Sequence, residues 1–224
     1  MNSKDYQSFG LYARDHGVSS LDLHRHNQNI ENNMTPYILE ERSMNVTIMD
    51  VFSRLMAERI IWVAGEVNDN MSTIVQAQLM FLDSLDHNDI TLHVDSPGGS
   101  VKSGLSMVDV MDYVKSDIRT INTGIAASMG SVLLGAGTKG KRGSLRFSRT
   151  MLHQSSGGFR GNIIDAKIDM GEWEKINELL FELLGEYCGK TPEQVKTDAT
   201  RDLWLSSEDA LKYGIIDEIV KKKK

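Results

Sequence analysis

The chain has 224 residues, 40% of them hydrophobic and 25% charged, with 25 Lys+Arg against 31 Asp+Glu for a formal net charge of −6. Length and hydrophobic share support one globular domain, two at most, and exclude disorder throughout, while the negative balance opposes non-specific nucleic-acid binding. A single cysteine, Cys188, cannot close an internal disulfide, and no Cys/His cluster has zinc-ligand spacing, so the expected compartment is reducing, the cytoplasm by default.

Residues 1–33 are polar, carry His16, His24 and His26, and lack the apolar core of a secretory signal. They are expected to be a disordered leader or pro-segment, and without a secretory route the Asn-x-Ser/Thr triplets at Asn33, Asn45 and Asn70 are chance matches. From about Thr47 the pattern alternates. It predicts a helix near 48–57, the strand Ile60–Val63, a helix over 70–84, the strand Ile90–Val94, a helix over 100–115 and the strand Ile118–Asn122. There follow a helix over 127–136, a strand near 145–153, a long helix over 162–187, a short helix from Pro192 and a closing strand Ile215–Val220. Strands separated by helices imply repeated βαβ units, hence an α/β fold with a mainly parallel sheet. The terminal run Lys221–Lys224 reads as a solvated basic tail.

Thr120–Thr138 runs 19 residues without a charge. Its length suggests a membrane span, but Gly124, Gly130, Gly135, Gly137, Asn122, Ser128 and Ser131 interrupt any apolar run, and a buried loop–helix element fits better. The long helix over 162–187 carries Ile164, Ile168, Trp173, Ile176, Leu179, Leu180, Leu183 and Leu184 at roughly helical spacing. So small a core cannot cover all of it. Part of the stripe packs on a neighbouring subunit, or the element is an ordinary edge helix; periodicity leaves both open.

Gly135–Lys141 satisfies the first seven positions of the phosphate-loop pattern G-x-x-x-x-G-K-[ST], but Arg142 replaces the magnesium-holding Ser/Thr. The loop also leads out of a helix towards a strand, the reverse of what that motif needs. A better site lies in Gly124-Ile-Ala-Ala-Ser128-Met-Gly-Ser131, where a serine sits among small residues at a strand-to-helix junction. A helix N-terminus directs free N–H groups at any oxyanion formed there, so Ser128 is a candidate nucleophile, with an N-cap serine in a tight turn as the alternative.

A serine nucleophile needs a base. Three histidines lie in the leader, His87 is in the turn Asp86–Asp89, and His93 alternates with Ile90, Leu92 and Val94 on the opposite face of its strand. By elimination His153, which ends the strand Thr150–His153, leads. Asp198 and Asp202 are the candidates for the carboxylate that orients it, and periodicity does not choose between them. The turn Asp95-Ser-Pro-Gly98-Gly99-Ser100 leaves backbone N–H groups uncovered, so Gly99 and Met129 are the two candidate oxyanion donors.

Along nearly all of 34–220 the chain resembles the proteolytic-subunit family of the Clp protease (ClpP). The matching residues include Ser53-Arg54 and Glu58-Arg59-Ile60-Ile61, Asp69-Asn70-Met71, Ser96-Pro97-Gly98-Gly99, Ala126-Ala127-Ser128-Met129-Gly130, Gly140-Lys141-Arg142, His153-Gln154, Gly157-Gly158-Phe159 and Arg201-Asp202. The resemblance implies Ser128 as nucleophile, His153 as general base, Asp202 in preference to Asp198 as orienting acid, and an oxyanion hole from the N–H groups of Gly99 and Met129. It implies a crotonase-like fold and a homo-oligomer of two stacked seven-membered rings, with the long helix protruding at the ring-to-ring contact. The partner is a separate AAA+ Clp-family unfoldase that feeds unfolded polypeptides, with no nucleic acid, membrane, metal or cofactor, and with ATP used by the partner alone. Residues 1–33 then look like a pro-segment, 34–50 the axial-pore segment, 51–220 the serine protease domain and 221–224 the tail. The chain departs from the family's usual pattern at Thr200, where an acidic residue pairs across rings, and at Thr91, His93 and Gly143 on the unfoldase-docking surface, whereas Tyr113, Ile121 and Leu145 suit it. A crotonase-type acyl-CoA enzyme and a non-catalytic ring subunit are the rival readings.

Overall fold

The computed structural model describes residues 37–42, 45–158 and 162–221, with side chains from Asp50 onward. The expected leader at 1–33 lies outside the described residues, as do Lys222–Lys224 of the tail. The chain divides into two units, residues 1–54 and 55–224.

In the first unit, β1 (Tyr37–Arg42) and β2 (Asn45–Asp50) form an antiparallel hairpin with Tyr37 opposite Asp50 and Arg42 opposite Asn45. Helix α1 (Val51–Ala57) begins only after it. The helix expected from 48 therefore starts at 51. The run Val46-Thr47-Ile48 is β-branched and favours a strand. Asp50 closes the strand by accepting the N–H groups of Phe52 and Ser53, each at 3.0 Å.

The second unit is built on β3 (Ile60–Ala64), β4 (Ile90–Ser96), β5 (Ile118–Ala127), β6 (Gly143–Leu145) and β9 (Glu218–Val220), neighbours in that order and all parallel. Two further strands, β7 (Arg149–Leu152) and β8 (Leu203–Leu205), branch from the far half of β5: β7 runs parallel to Ile125–Ala127, and β8 lies antiparallel on β7. Helices α2 (Asp69–Leu85), α3 (Val101–Tyr113) and α4 (Met129–Gly135) connect the first strands, and α5 (Ile163–Cys188), α6 (Pro192–Asp198) and α7 (Ser207–Tyr213) follow β7. The fold is thus a mixed α/β domain around one mainly parallel sheet, as the alternating pattern predicts. None of the helices among the described residues is long and apolar enough to cross a membrane.

Strand period sets which side chains enter the core. Ile61, Val63, Ile90, Leu92 and Val94 are buried on one face, and α2 and α3 cover them with Val75, Leu79, Leu82, Met107, Val108 and Met111. Trp62 and His93, one residue out of phase, stack on the other face with ring centroids 4.8 Å apart. No residue from Thr120 to Thr138 is exposed, and all seven residues of α4 are buried. The polar groups inside that stretch are satisfied within the protein. Thr120 Oγ1 donates to the Leu134 carbonyl at 2.7 Å, and Asn122 Nδ2 donates to the Arg149 carbonyl at 2.9 Å.

Two sequence features find structural explanations. In the Gly135–Lys141 loop, Lys141 Nζ pairs with Asp89 at 2.8 Å and Asp117 at 2.7 Å. Buried Arg142 forks onto Asp217 at 2.8 and 2.6 Å and donates to the carbonyls of Tyr187 and Gly214, at the ends of α5 and α7. This is a structural clamp that joins helix C-termini, where a cation is favourable. The long helix α5 buries Leu180, Phe181 and Leu184 in its second half, whereas Ile163, Ile164 and Ile168 are 77%, 73% and 65% exposed in its first. The expected single strand near 145–153 is two strands separated by a turn at Arg146–Ser148, and β8 and α7 have no counterpart in the sequence pattern.

Candidate active site

Strand registers alone bring the candidate residues into one row. On β4 and β5, Ser96 is paired with Ala126; on β5 and β7, Ala127 with Met151; on β7 and β8, Leu152 with Leu203. Just beyond these paired positions lie Gly98 and Gly99 after Pro97, Ser128 and His153 directly after β5 and β7, and Asp202 directly before the antiparallel β8. A parallel sheet characteristically presents its sites at the carboxyl ends of its strands, and this row lies there.

Ser128 joins β5 to α4 with φ +52° and ψ −124°, a backbone conformation that a non-glycine residue adopts only under tight constraint. Its N–H donates to the Met151 carbonyl at 3.0 Å, and its own carbonyl accepts from Ser131 Oγ at 2.6 Å. The Ser128 side chain makes no capping hydrogen bond to the helix, so the N-cap alternative does not describe it. Instead, Oγ lies 2.8 Å from His153 Nε2. On the other side of the ring, His153 Nδ1 lies 3.4 Å from Asp202 Oδ1, a pairing distance longer than a tight hydrogen bond. Asp198 is elsewhere, accepting from Tyr213 Oη at 3.1 Å and facing Lys190 Nζ at 3.8 Å. Among the other histidines, His87 pairs with Asp83 at 3.2 Å on the surface, and burial, with Arg119 nearby, pushes the pKa of His93 down. Cys188 is no competing nucleophile, because burial pushes its thiol up to about 12.

Gly98 and Gly99 take φ of +96° and +148°. The turn is held against Val67: the Val67 N–H donates to the Gly98 carbonyl at 2.9 Å, and the Ser100 N–H donates to the Val67 carbonyl at 2.8 Å. In a parallel bridge the residue between those two bonds turns its own N–H away from the bridging partner, so the Gly99 N–H is not taken up by Val67. A side chain at Gly98 would place Cβ 2.7 Å from Ser128 Cβ and 3.0 Å from Met129 N, so only glycine lets this turn approach the serine. Met129 is the first residue of α4, where the N–H has no intrahelical acceptor.

A pocket opens beside Ser128 and His153, walled by Val101, Met129 and Val132 and by Leu180, Phe181 and Leu184 of α5, with Ser131, Ser155 and Asn177 as its polar lining. Asn177 Oδ1 accepts from the Ser155 N–H at 3.0 Å and from Ser155 Oγ at 2.8 Å, and Trp173 Nε1 donates to Ser155 Oγ at 2.7 Å. Sequence reasoning places Trp173 in an apolar packing stripe and omits Ser155 and Asn177. The available signal was spacing, since residues 173 and 177 lie one turn apart on one face of a helix. Among the described residues no three His, Cys, Asp or Glu side chains are grouped as metal ligands.

The family model for Clp protease matches residues 42–223. An ATP-dependent Clp protease proteolytic subunit from Bacteroides fragilis (strain YCH46) is 44% identical over 217 residues, covering 96% of this chain and 99% of the relative. The protein of the same description from Porphyromonas gingivalis is 44% identical over 216 residues, 96% of this chain and 97% of the relative. That from Borreliella afzelii is 45% identical over 189 residues, 84% and 96% of the two chains. With a model covering most of its length and relatives matched almost end to end, the chain belongs to the Clp protease family.

Proposed function

We propose that this protein is a self-compartmentalised serine endopeptidase that cleaves unfolded polypeptides to short peptides through an acyl-enzyme. The observation that carries the reading is the 2.8 Å approach of His153 Nε2 to Ser128 Oγ, at the head of a buried helix and beside a bare glycine turn. With its Nδ1–H towards Asp202, the His153 ring has a free lone pair on Nε2. That nitrogen takes the Ser128 proton as Oγ attacks the peptide carbonyl carbon. The carbonyl oxygen becomes an oxyanion, stabilised by the N–H groups of Gly99 and Met129. Collapse breaks the peptide C–N bond, with His153 returning its proton to the leaving amine. Water, deprotonated by the same nitrogen, then attacks the acyl carbon, and collapse breaks the ester bond to Ser128 Oγ, which regains its proton from His153 as the acid leaves. Asp202 stabilises the imidazolium in both steps.

The family supports the rest of the reading. The fold is of the crotonase-like type, and the subunits assemble as two stacked seven-membered rings with active sites facing an enclosed chamber. The exposed Ile163, Ile164 and Ile168 ridge of α5 is the ring-to-ring contact. Residues 34–50 form the axial-pore segment, 51–220 the protease domain, and 1–33 a leader removed on maturation. An AAA+ unfoldase docks on the outer surface around the exposed Tyr113 and Leu145, with Ile121 buried rather than presented, and uses the ATP that the relatives' description names. The setting is the cytoplasm.

The test is acylation by a serine-directed phosphonate, followed by peptide mapping, with hydrolysis of a fluorogenic peptide measured in parallel. Labelling of Ser128, and loss of both labelling and hydrolysis in Ser128→Ala, is the expected result. An assembled protein that hydrolyses no peptide and takes up no reagent would be a non-catalytic or acyl-CoA-type member instead.

A further inference from the structure

Both glycines of the turn carrying the Gly99 N–H sit at positive φ, and on its near side Ser96 Oγ accepts from the Gly98 N–H at 3.1 Å and donates to the Gly65 carbonyl at 2.6 Å, which leaves the Gly99 side to be held from elsewhere. An oxyanion donor contributes most when its direction is set before the reaction, so something outside the turn must restrain it. The Val67 backbone supplies one restraint. A second tie runs between the first turns of α2 and α3. Ser103 is 3% exposed, and its Oγ lies 2.5 Å from Asp69 Oδ1 and 2.7 Å from Ser100 Oγ. The Ser103 N–H donates to Ser100 Oγ at 3.2 Å, and the Ser103 carbonyl accepts from buried Ser72 Oγ at 2.7 Å. Ser103 Oγ stands as donor to both the Asp69 carboxylate and Ser100 Oγ, so its single proton is shared between them and the hydroxyl bridges Asp69 to Ser100. Ser100 follows Gly99, and Asp69 lies two residues after Val67, so this bridge links the same two segments that the backbone bonds join.

We propose that Ser103 and Asp69 are positioning residues for the oxyanion hole, fixing the Gly98-Gly99 turn through Ser100 so that the Gly99 N–H faces the reacting carbonyl. The inference rests on the serine-protease reading above and goes beyond it. A carboxylate-to-hydroxyl bond is among the stronger hydrogen bonds and holds its partners within a few tenths of an ångström. The effect is selective. Loosening the turn weakens binding of the tetrahedral state, whereas the ground-state peptide does not rely on this donor.

The experiment compares Ser103→Ala, Ser103→Thr and Asp69→Asn in the full-length protein. It measures kcat and KM on a fluorogenic peptide, inhibition by a peptide aldehyde whose hemiacetal oxygen occupies the hole, and phosphonate labelling of Ser128. Ser103→Ala should lower kcat roughly tenfold and weaken the aldehyde by a similar factor with KM nearly constant, less than the loss on deleting a donor outright. Ser103→Thr, which keeps the hydroxyl, should restore both, and Asp69→Asn should fall between. Wild-type kcat in Ser103→Ala, or a kcat loss without loss of aldehyde affinity, overturns the proposal. If Ser103→Ala does not fold, unchanged kcat and aldehyde affinity in Asp69→Asn overturn it equally. Absence of phosphonate labelling in the wild type would remove the underlying protease reading as well, whereas normal labelling with indifferent variants removes this inference alone.

Discussion

Gly98→Ala and Gly140→Ala separate two costs that a glycine substitution usually mixes. Both positions have positive φ, +96° and +88°. An alanine in that region costs about 1–2 kcal/mol from contacts with its own backbone. At Gly140 that is the whole cost, because no atom lies within 4 Å of the added Cβ. At Gly98 the methyl falls 2.7 Å from Ser128 Cβ, 2.8 Å from the Ala127 carbonyl oxygen and 3.0 Å from Met129 N. Relieving such overpacking costs about 1–3 kcal/mol more. The sums, about 1–2 against about 2–5 kcal/mol, fall below or near the lower end of typical domain stabilities. Urea unfolding should rank Gly98→Ala clearly lower and leave Gly140→Ala a modest shift. Activity should part further. The methyl at 98 can be accommodated only by moving the nucleophile turn or the first donor of α4, and misplacing either by about 1 Å costs on the order of 10²-fold in turnover. Peptide hydrolysis per folded subunit should therefore fall about a hundredfold in Gly98→Ala and stay near wild type in Gly140→Ala. Equal turnover in the two variants would refute the packing argument, since strain alone would then account for both.

The clamp at Arg142 predicts acid sensitivity. Burial pushes the Asp217 carboxyl up, but the Arg142 side-chain and backbone hydrogen bonds, its charge and the Gly140 N–H together outweigh this, and the net shift is down. A carboxylate depressed in the folded state contributes stability above its unfolded pKa of about 3.9 and loses it as pH falls through the folded value. The urea midpoint of the wild type should drop through that window, and Asp217→Asn should show a flatter profile there. At neutral pH the variant should already be weaker by about 3–5 kcal/mol, since Arg142, only 4% exposed, loses its counter-charge. Ala126 is fully buried, whereas Lys139 is exposed just past the uncharged stretch. Ala126→Asp should abolish cooperative thermal unfolding while Lys139→Glu shifts the midpoint by little, and tolerance of Ala126→Asp would contradict the packing assigned to β5. The double variant Ile164→Glu/Ile168→Glu should leave subunit stability unchanged in urea, because both side chains face outward, and the proposed two-ring assembly predicts that it halves the native mass. An intact double ring would remove α5 from the ring-to-ring contact.

The parts of this site differ in how far local sequence could reveal them. Ser128 was legible because a serine among Gly124, Ala126, Ala127 and Gly130 marks a strand-to-helix junction by composition, and His153 because five other histidines fall on the leader, a turn or an opposite strand face. The choice between Asp198 and Asp202 was not legible from the residues alone. It turns on β8, three residues long, too short for any period and existing only because Leu203–Leu205 pairs with Thr150–Leu152. Once that register is known, Asp202 must face His153, because an antiparallel pair that matches 152 with 203 matches 153 with 202. The same reasoning explains β5, expected to end at Asn122 but running to Ala127: its second half pairs with β7 on the edge where β6 stops at Asn122, while β4 still pairs on the other edge. Elements longer than about ten residues announced themselves by period, whereas of the three-residue strands β8 was silent and β9 was read only inside the longer span Ile215–Val220. The site is built mostly at the ends of short strands, so its composition was readable and its assembly was tertiary. Ser103 illustrates the division most sharply. In sequence it is one serine on an amphipathic helix, and only the pairing of Val67 with the Gly98-Gly99 turn brings Asp69 to its hydroxyl and gives that hydroxyl something to hold.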